Sequence, residues 1–179
     1  MWAALMGVYH AQKTGEGDVI DVSQYESCLR VQGYGPLMYT TTGEQLKRTG
    51  NKEATYAGID VFECKDGNYC VVQVSGRPAA KAIAALLGLD DEEHFIEGRP
   101  TLNGTPQGDR LDGAIKAFCL ERMPDEVETQ LKAIGVACAP INNYEMLMSN
   151  PHVIARNDFV EWYDEASEQT LKGVAVLPP

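Results

Sequence analysis

The stretch from Tyr56 to Gly88 constrains the fold more than any other part of the chain. Ile59-Asp60-Val61-Phe62-Glu63-Cys64 and Tyr69-Cys70-Val71-Val72-Gln73-Val74 are rich in β-branched and aromatic residues and flank Lys65-Asp66-Gly67-Asn68, the pattern of a β-hairpin. A two-residue turn at Asp66-Gly67 pairs Glu63 with Cys70, Val61 with Val72 and Ile59 with Val74. It places Cys64 opposite Tyr69, and Phe62 opposite Val71, on the other face. Both faces then carry apolar residues, which predicts strands covered on both sides.

The second strand runs directly into Ser75-Gly76-Arg77-Pro78, and Ala79, Ala82, Ile83 and Leu86 then recur at helical spacing up to Gly88. A strand-to-helix turn of this kind leaves backbone N–H groups around Gly76 unpaired, with no Cβ to hold a ligand away. The plainer reading is that Gly76 only relieves backbone strain.

With 179 residues and 44% hydrophobic content, the chain can bury a core in one domain or two small ones. Its net charge of -11 and pI of about 4.6 argue against nucleic acid and anionic membrane surfaces as partners. Lys47, Arg48 and Lys52 form a local basic cluster that reads as a solvated loop. The five cysteines (Cys28, Cys64, Cys70, Cys119 and Cys138) lack a CxxC or Cys/His ligand spacing. In the register above, Cys64 and Cys70 point to opposite faces, so they read as reduced and packed, in a cytoplasmic protein. The opening Met1-Trp2-Ala3-Ala4-Leu5-Met6 does not read as a signal peptide, and no apolar run reaches membrane-spanning length.

Taken in order, Met1 to Gln12 reads as a helix, Val19 to Val22 as a short strand in need of sheet neighbours, and Ser23-Gln24-Tyr25-Glu26 as a capping box. Gln32 to Ala54 loses periodicity and reads as a connection, and Asp90 to Asp109 as a loop. Leu111, Ile115 and Phe118 mark a helix, and Pro124 opens another that buries Val127, Leu131 and Ile134 and ends at Gly135. Val136 to Ala139 reads as a strand, Asn143 and Asn150 as caps of short helices, and Phe159–Tyr163 with Leu171–Val176 as a closing hairpin halted by Pro178-Pro179.

No chemical motif declares an active site. His10, His94 and His152 stand apart from one another and from cysteines at ligand spacing, and no Gly-x-Ser-x-Gly, phosphate-binding or dinucleotide-binding glycine pattern occurs. Several segments in series carry a resemblance instead: Ala11-Gln12-Lys13-Thr14-Gly15-Glu16-Gly17 with Val19-Ile20-Asp21-Val22-Ser23, Tyr56-Ala57-Gly58 with Cys64-Lys65-Asp66-Gly67, Gly135-Val136-Ala137-Cys138-Ala139-Pro140-Ile141-Asn142, and Asn150-Pro151-His152-Val153-Ile154-Ala155-Arg156. In this order and spacing the chain resembles the family III CoA-transferases, the CaiB/BaiF family, and is most similar to their carnitine/crotonobetainyl branch.

The resemblance implies an α/β and α+β protein: a small α+β domain with β-hairpins and helices, flanked by pieces of an incomplete Rossmann-like large domain. Residues 1–37 would belong to the large domain, 38–54 to an interdomain linker, 55–150 to the small domain, and 151–179 to the return segment. It also implies an interlocked homodimer that takes acyl-CoA and a small carboxylic acid as substrates, with no permanently bound cofactor and no metal. The family's catalytic aspartate attacks the acyl-CoA thioester, forms a mixed anhydride and carries CoA as an aspartyl thioester. By the same resemblance that aspartate lies upstream of Met1, so the chain reads as a piece lacking both ends, with no catalytic residue of its own. Gln73, Ser75 and Gly76 hold the position of the family's active-site lid, which keeps water from the anhydride. The competing expectation is a non-catalytic binding or assembly module derived from the family.

Overall fold

The computed structural model describes residues 2–174, and the chain divides into two compact units, Met1–Arg48 and Thr49–Pro179. In the first, α1 (Trp2–Thr14), α2 (Gln24–Arg30) and α3 (Gly35–Thr42) follow one another and none contains a buried residue. Ser23 caps α2 by accepting the Glu26 N–H at 3.3 Å. Two expectations change here. Val19–Val22 has no strand partner among the described residues, and with no ladder to join, an isolated extended segment is not a strand. Inside the stretch read as irregular, Pro36 opens α3 at its first turn, and Gly43, at φ +76, closes it, a start and stop that apolar periodicity alone does not reveal.

The second unit is built on a three-stranded antiparallel sheet, β1 (Ile59–Glu63), β2 (Tyr69–Gln73) and β3 (Ala137–Pro140), in the order β1-β2-β3. The hairpin is where it was expected, but its register is shifted: Glu63 faces Tyr69, Phe62 faces Cys70 and Val61 faces Val71. The cause is the turn. Gly67 N–H bonds to the Cys64 carbonyl at 3.0 Å, Gly67 takes φ +79, and Cys64 N–H bonds to the Asn68 carbonyl at 2.7 Å. That is a three-residue loop with a left-handed glycine rather than a two-residue turn.

A one-residue change of register exchanges faces. Cys64 and Cys70 therefore share a face, with their sulfurs 3.6 Å apart, rather than pointing apart. Phe62, Cys64, Cys70, Val72 and Cys138 form one buried surface of the sheet. Against it pack residues of α4 (Gly76–Leu86), α6 (Pro106–Leu120) and α7 (Pro124–Ala133), among them Ile83, Leu111, Ile115, Phe118, Val127 and Leu131. Each such side chain contributes about 1.5–3 kcal/mol on burial. The opposite face of the hairpin is not covered: Tyr69 and Val71 are 45% and 41% exposed.

Within the stretch read as a loop, Phe95 anchors the short helix α5 (Glu93–Glu97), and Pro106 begins α6, whose N-cap Thr105 accepts the Gly108 N–H. Helices α8 (Tyr144–Ser149) and α9 (Pro151–Ala155) are capped by the Asn143 and Asn150 side chains. The chain continues in an antiparallel pair, β4 (Phe159–Asp164) and β5 (Gln169–Val174). The expected strand end at Val176 and stop at Pro178-Pro179 lie outside the described residues, as does Met1.

Candidate functional site

A cavity of about 490 Å³ opens beside the β2–α4 turn, within the second unit, a volume typical of small-molecule sites. Its apolar wall comes from Tyr56, Ala57, Ile59, Val74 and Leu111, and its polar wall from Ser75, Gly76, Arg77, Glu97, Arg99 and Thr101.

The apolar wall is fixed by backbone bonds. Ala57 N–H bonds to the Thr101 carbonyl at 2.9 Å, and Val74 N–H bonds to the Gly58 carbonyl at 2.9 Å. Gly58 N–H donates to the Asp112 carboxylate at 2.7 Å, and Asp112 also pairs with Lys52. Gly58 sits at φ +79, and a Cβ there would lie 2.9 Å from Val74 Cγ2. This explains the Tyr56-Ala57-Gly58 triplet: the glycine lets the chain pass between Val74 and Leu111 and places Tyr56 at the rim.

The polar wall joins the start of α4 to the segment after α5. Gly76 adopts φ +81, and its absent Cβ would have only Pro78 Cδ, at 3.9 Å, nearby. Ser75, the N-cap of α4, makes no side-chain capping bond, so the first turn of the helix turns uncapped donors outward. Arg77 donates from Nε to the Glu97 carbonyl oxygen at 2.6 Å. Gly98, at φ +65, packs so closely on that residue that a Cβ would lie 2.7 Å from the Arg77 carbonyl oxygen. Arg99 donates to the Glu97 carboxylate at 2.5 Å. This hydrogen bond and charge hold the Glu97 carboxyl below the usual carboxylate range. Thr101 is buried, its hydroxyl 3.0 Å from His94 Nε2.

Of the residues placed at the lid from sequence, Ser75 and Gly76 line this cavity and Gln73 does not. Gln73 is exposed, and strand alternation puts its side chain on the same side of β2 as Val71. Sequence reading passed over Tyr56, Arg99 and Thr101 as site residues. The available signal was a pair of glycine–arginine steps, Gly76-Arg77 and Gly98-Arg99, in which the glycine permits close backbone approach and the arginine follows.

The cysteines supply no nucleophile in this unit. Burial pushes the thiols of Cys119 and Cys138 up to about 12 and about 11 and raises those of Cys64 and Cys70 as well, so they remain protonated at neutral pH. Among the described residues no His/Cys/Asp/Glu group is arranged to hold a metal ion, and no helix is long and apolar enough to cross a membrane.

The family model described as CoA-transferase family III matches residues 1–178. The bile acid CoA-transferase BaiK of Clostridium scindens is 32% identical over 98% of this chain and 41% of its own length. The L-carnitine CoA-transferase of a Proteus species is 29% identical over 98% of this chain and 44% of its own length. Among solved structures, a CAIB/BAIF family protein from Brucella suis superposes with a TM-score of 0.63 at 22% identity, over 88% of this chain and 42% of that one. Rv3272 from Mycobacterium tuberculosis superposes at 0.67 and 16% identity, over 98% of this chain and 45% of that one. The chain belongs to CoA-transferase family III, and its mixed α+β architecture is that of its CaiB/BaiF structural neighbours. It spans less than half the length of the curated relatives it matches.

Proposed function

We propose that this chain is the part of a CoA-transferase that shelters the reacting groups, in an enzyme moving CoA between an acyl-CoA and a small, carnitine-like free carboxylic acid. The reaction passes through an aspartyl-CoA thioester whose aspartate lies outside these residues, and the 179-residue chain alone is inactive. Gln73, Ser75 and Gly76 form the lid segment, acyl-CoA and the free acid are substrates rather than resident cofactors, and the whole enzyme is a homodimer.

The observation that supports this reading is Gly76: a left-handed residue with open space where its Cβ would be, at the rim of a cavity large enough for an acid or an acyl group. An anhydride intermediate is lost to hydrolysis wherever water reaches it, so a turn able to approach the ligand by backbone alone has a direct chemical use.

Two measurements test the proposal. Mixed with an acyl-CoA and free carnitine or a free bile acid, the isolated chain gives no exchange of CoA; exchange above the uncatalysed rate would refute the missing nucleophile. In a protein carrying the remaining family segments, Gly76→Val lowers transfer and raises the share of acyl-CoA hydrolysed. An unchanged ratio of hydrolysis to transfer would remove the lid role.

A further inference from the structure

We infer that Asn103 is a spontaneous deamidation site, and that its conversion to aspartate or isoaspartate irreversibly unlatches the Tyr56 wall of the cavity. The inference concerns this chain alone and holds whatever reaction the enzyme carries out.

Asn103-Gly104 is the one Asn-Gly step in the sequence. At such a step the glycine nitrogen carries no neighbouring side chain to hinder its closing on the asparagine Cγ. Gly104 is exposed, and a Cβ there would meet nothing within 4 Å. Its N–H makes no hydrogen bond among the described residues. The attack of that nitrogen expels ammonia and leaves a succinimide, and water reopens the ring to aspartate or isoaspartate. The balance is an amide and water giving an acid and ammonia, with no oxidant or cofactor.

The amide under attack is also a latch. Asn103 Nδ2 donates to the Glu53 carbonyl at 2.7 Å and to the Tyr56 carbonyl at 3.2 Å, and the Asn103 N–H donates to the Thr55 carbonyl at 2.9 Å. Both side-chain neighbours are acceptors, so the amide nitrogen has to face them, and Oδ1 is buried without a protein partner. A succinimide ring demands a side-chain torsion away from the staggered positions. Ring closure therefore turns an amide that two bonds hold, and the reaction waits on local opening. Afterwards the latch cannot reform. A carboxylate has no proton to donate, and it would face the Glu53 and Tyr56 carbonyl oxygens beside the Glu53 side-chain carboxylate that accepts the Thr55 N–H at 2.6 Å. An added charge among acceptors is costly where it is partly buried, so the segment carrying Tyr56 and Ala57 gives way.

The test is incubation of the full 179-residue chain at mildly alkaline pH, followed by peptide mapping by mass and an isoaspartate assay. Asn103 converts in the native chain, but about tenfold or more slowly than in the chain unfolded in urea, as gating by local opening requires. Asp112→Ala removes the acceptor of the Gly58 N–H and the partner of Lys52, loosens the same segment and speeds the native conversion several-fold. The aged form, separated from its parent by the added charge on an anion exchanger, exchanges the Ala57 amide about tenfold or more faster than the parent, while the Val72 and Leu131 amides keep their rates. Asn103→Asp does the same without ageing. An Asn103 that stays intact in the native chain while the unfolded chain converts would overturn the inference. So would equal rates in the two states, or an aged chain whose Ala57 amide exchanges at the parent's rate.

Discussion

In α6, Leu111, Ile115 and Phe118 are at most 8% exposed, whereas in α1 Trp2, Leu5, Met6 and Tyr9, at the same helical spacing, are 57–81% exposed. The two helices differ less in pattern than in what stands opposite them. Helix α6 has the buried face of a three-stranded sheet and two neighbouring helices to close against. Helices α1, α2 and α3 contain no buried residue, and the packing on them is local, Ile20 against Gly7 and Leu46 against Gly35. Helices of this length are marginal in water without tertiary packing, so an amphipathic stripe is a statement of need, and burial depends on a partner layer.

The sharpest way to break this contrast is amide hydrogen exchange. Amides of β2, α6 and α7 should exchange on the order of a thousandfold or more slower than those of α1–α3, since only the former report opening of a cored unit. Comparable protection in both would refute the division. Core truncation comes next. Ile115→Ala, at a fully buried site, should cost about 2–5 kcal/mol in denaturant unfolding of the second unit. Tyr25→Ala in α2, where the ring is 81% exposed, should stay within about 0.5 kcal/mol. A smaller comparison separates the site glycines. Gly98→Ala and Gly58→Ala combine positive φ with close contacts, and should destabilise by about 1–3 kcal/mol, more than Gly76→Ala, which meets open space.

Thiol chemistry gives the mildest test. Iodoacetamide should label exposed Cys28 first, while Cys64, Cys70, Cys119 and Cys138 stay unlabelled until unfolding. The same thiols fix a direction with pH. Their folded values lie above the ordinary 9.0, with Cys138 at about 11 and Cys119 at about 12. The unfolded chain therefore loses these protons first, and stability falls as pH rises above about 9. A stability curve that is flat or rising between pH 9 and 11 would contradict this burial.

How much of this was legible in advance follows from how local each signal is. The hairpin, the glycine turn into α4 and the buried faces of α6 and α7 are written in short-range patterns, and all are present. The register was misread because Asp66-Gly67 is the commonest two-residue turn signal, whereas Gly67 here serves as the left-handed residue of a longer loop. With it went the faces of Cys64 and Cys70. Helix α5 escaped because five residues among glycines and prolines cannot show a period. In the site, Ser75 and Gly76 could be found from the strand-to-helix turn. Thr101 could not, and the Gly98-Arg99 step alone did not place Arg99, because both reach the cavity through contacts between distant segments, Arg77 with Glu97 twenty residues on and Ala57 with Thr101 forty-four residues on.

The grip of Arg77 on the Glu97 carbonyl has a mechanical consequence. The residue directly after the left-handed Gly76 holds the far bank of the opening, and Gly98 is seated against its backbone. Rotation at Gly76 would drag that bank along, so the aperture would work as one jaw on a single pivot instead of two independent flaps.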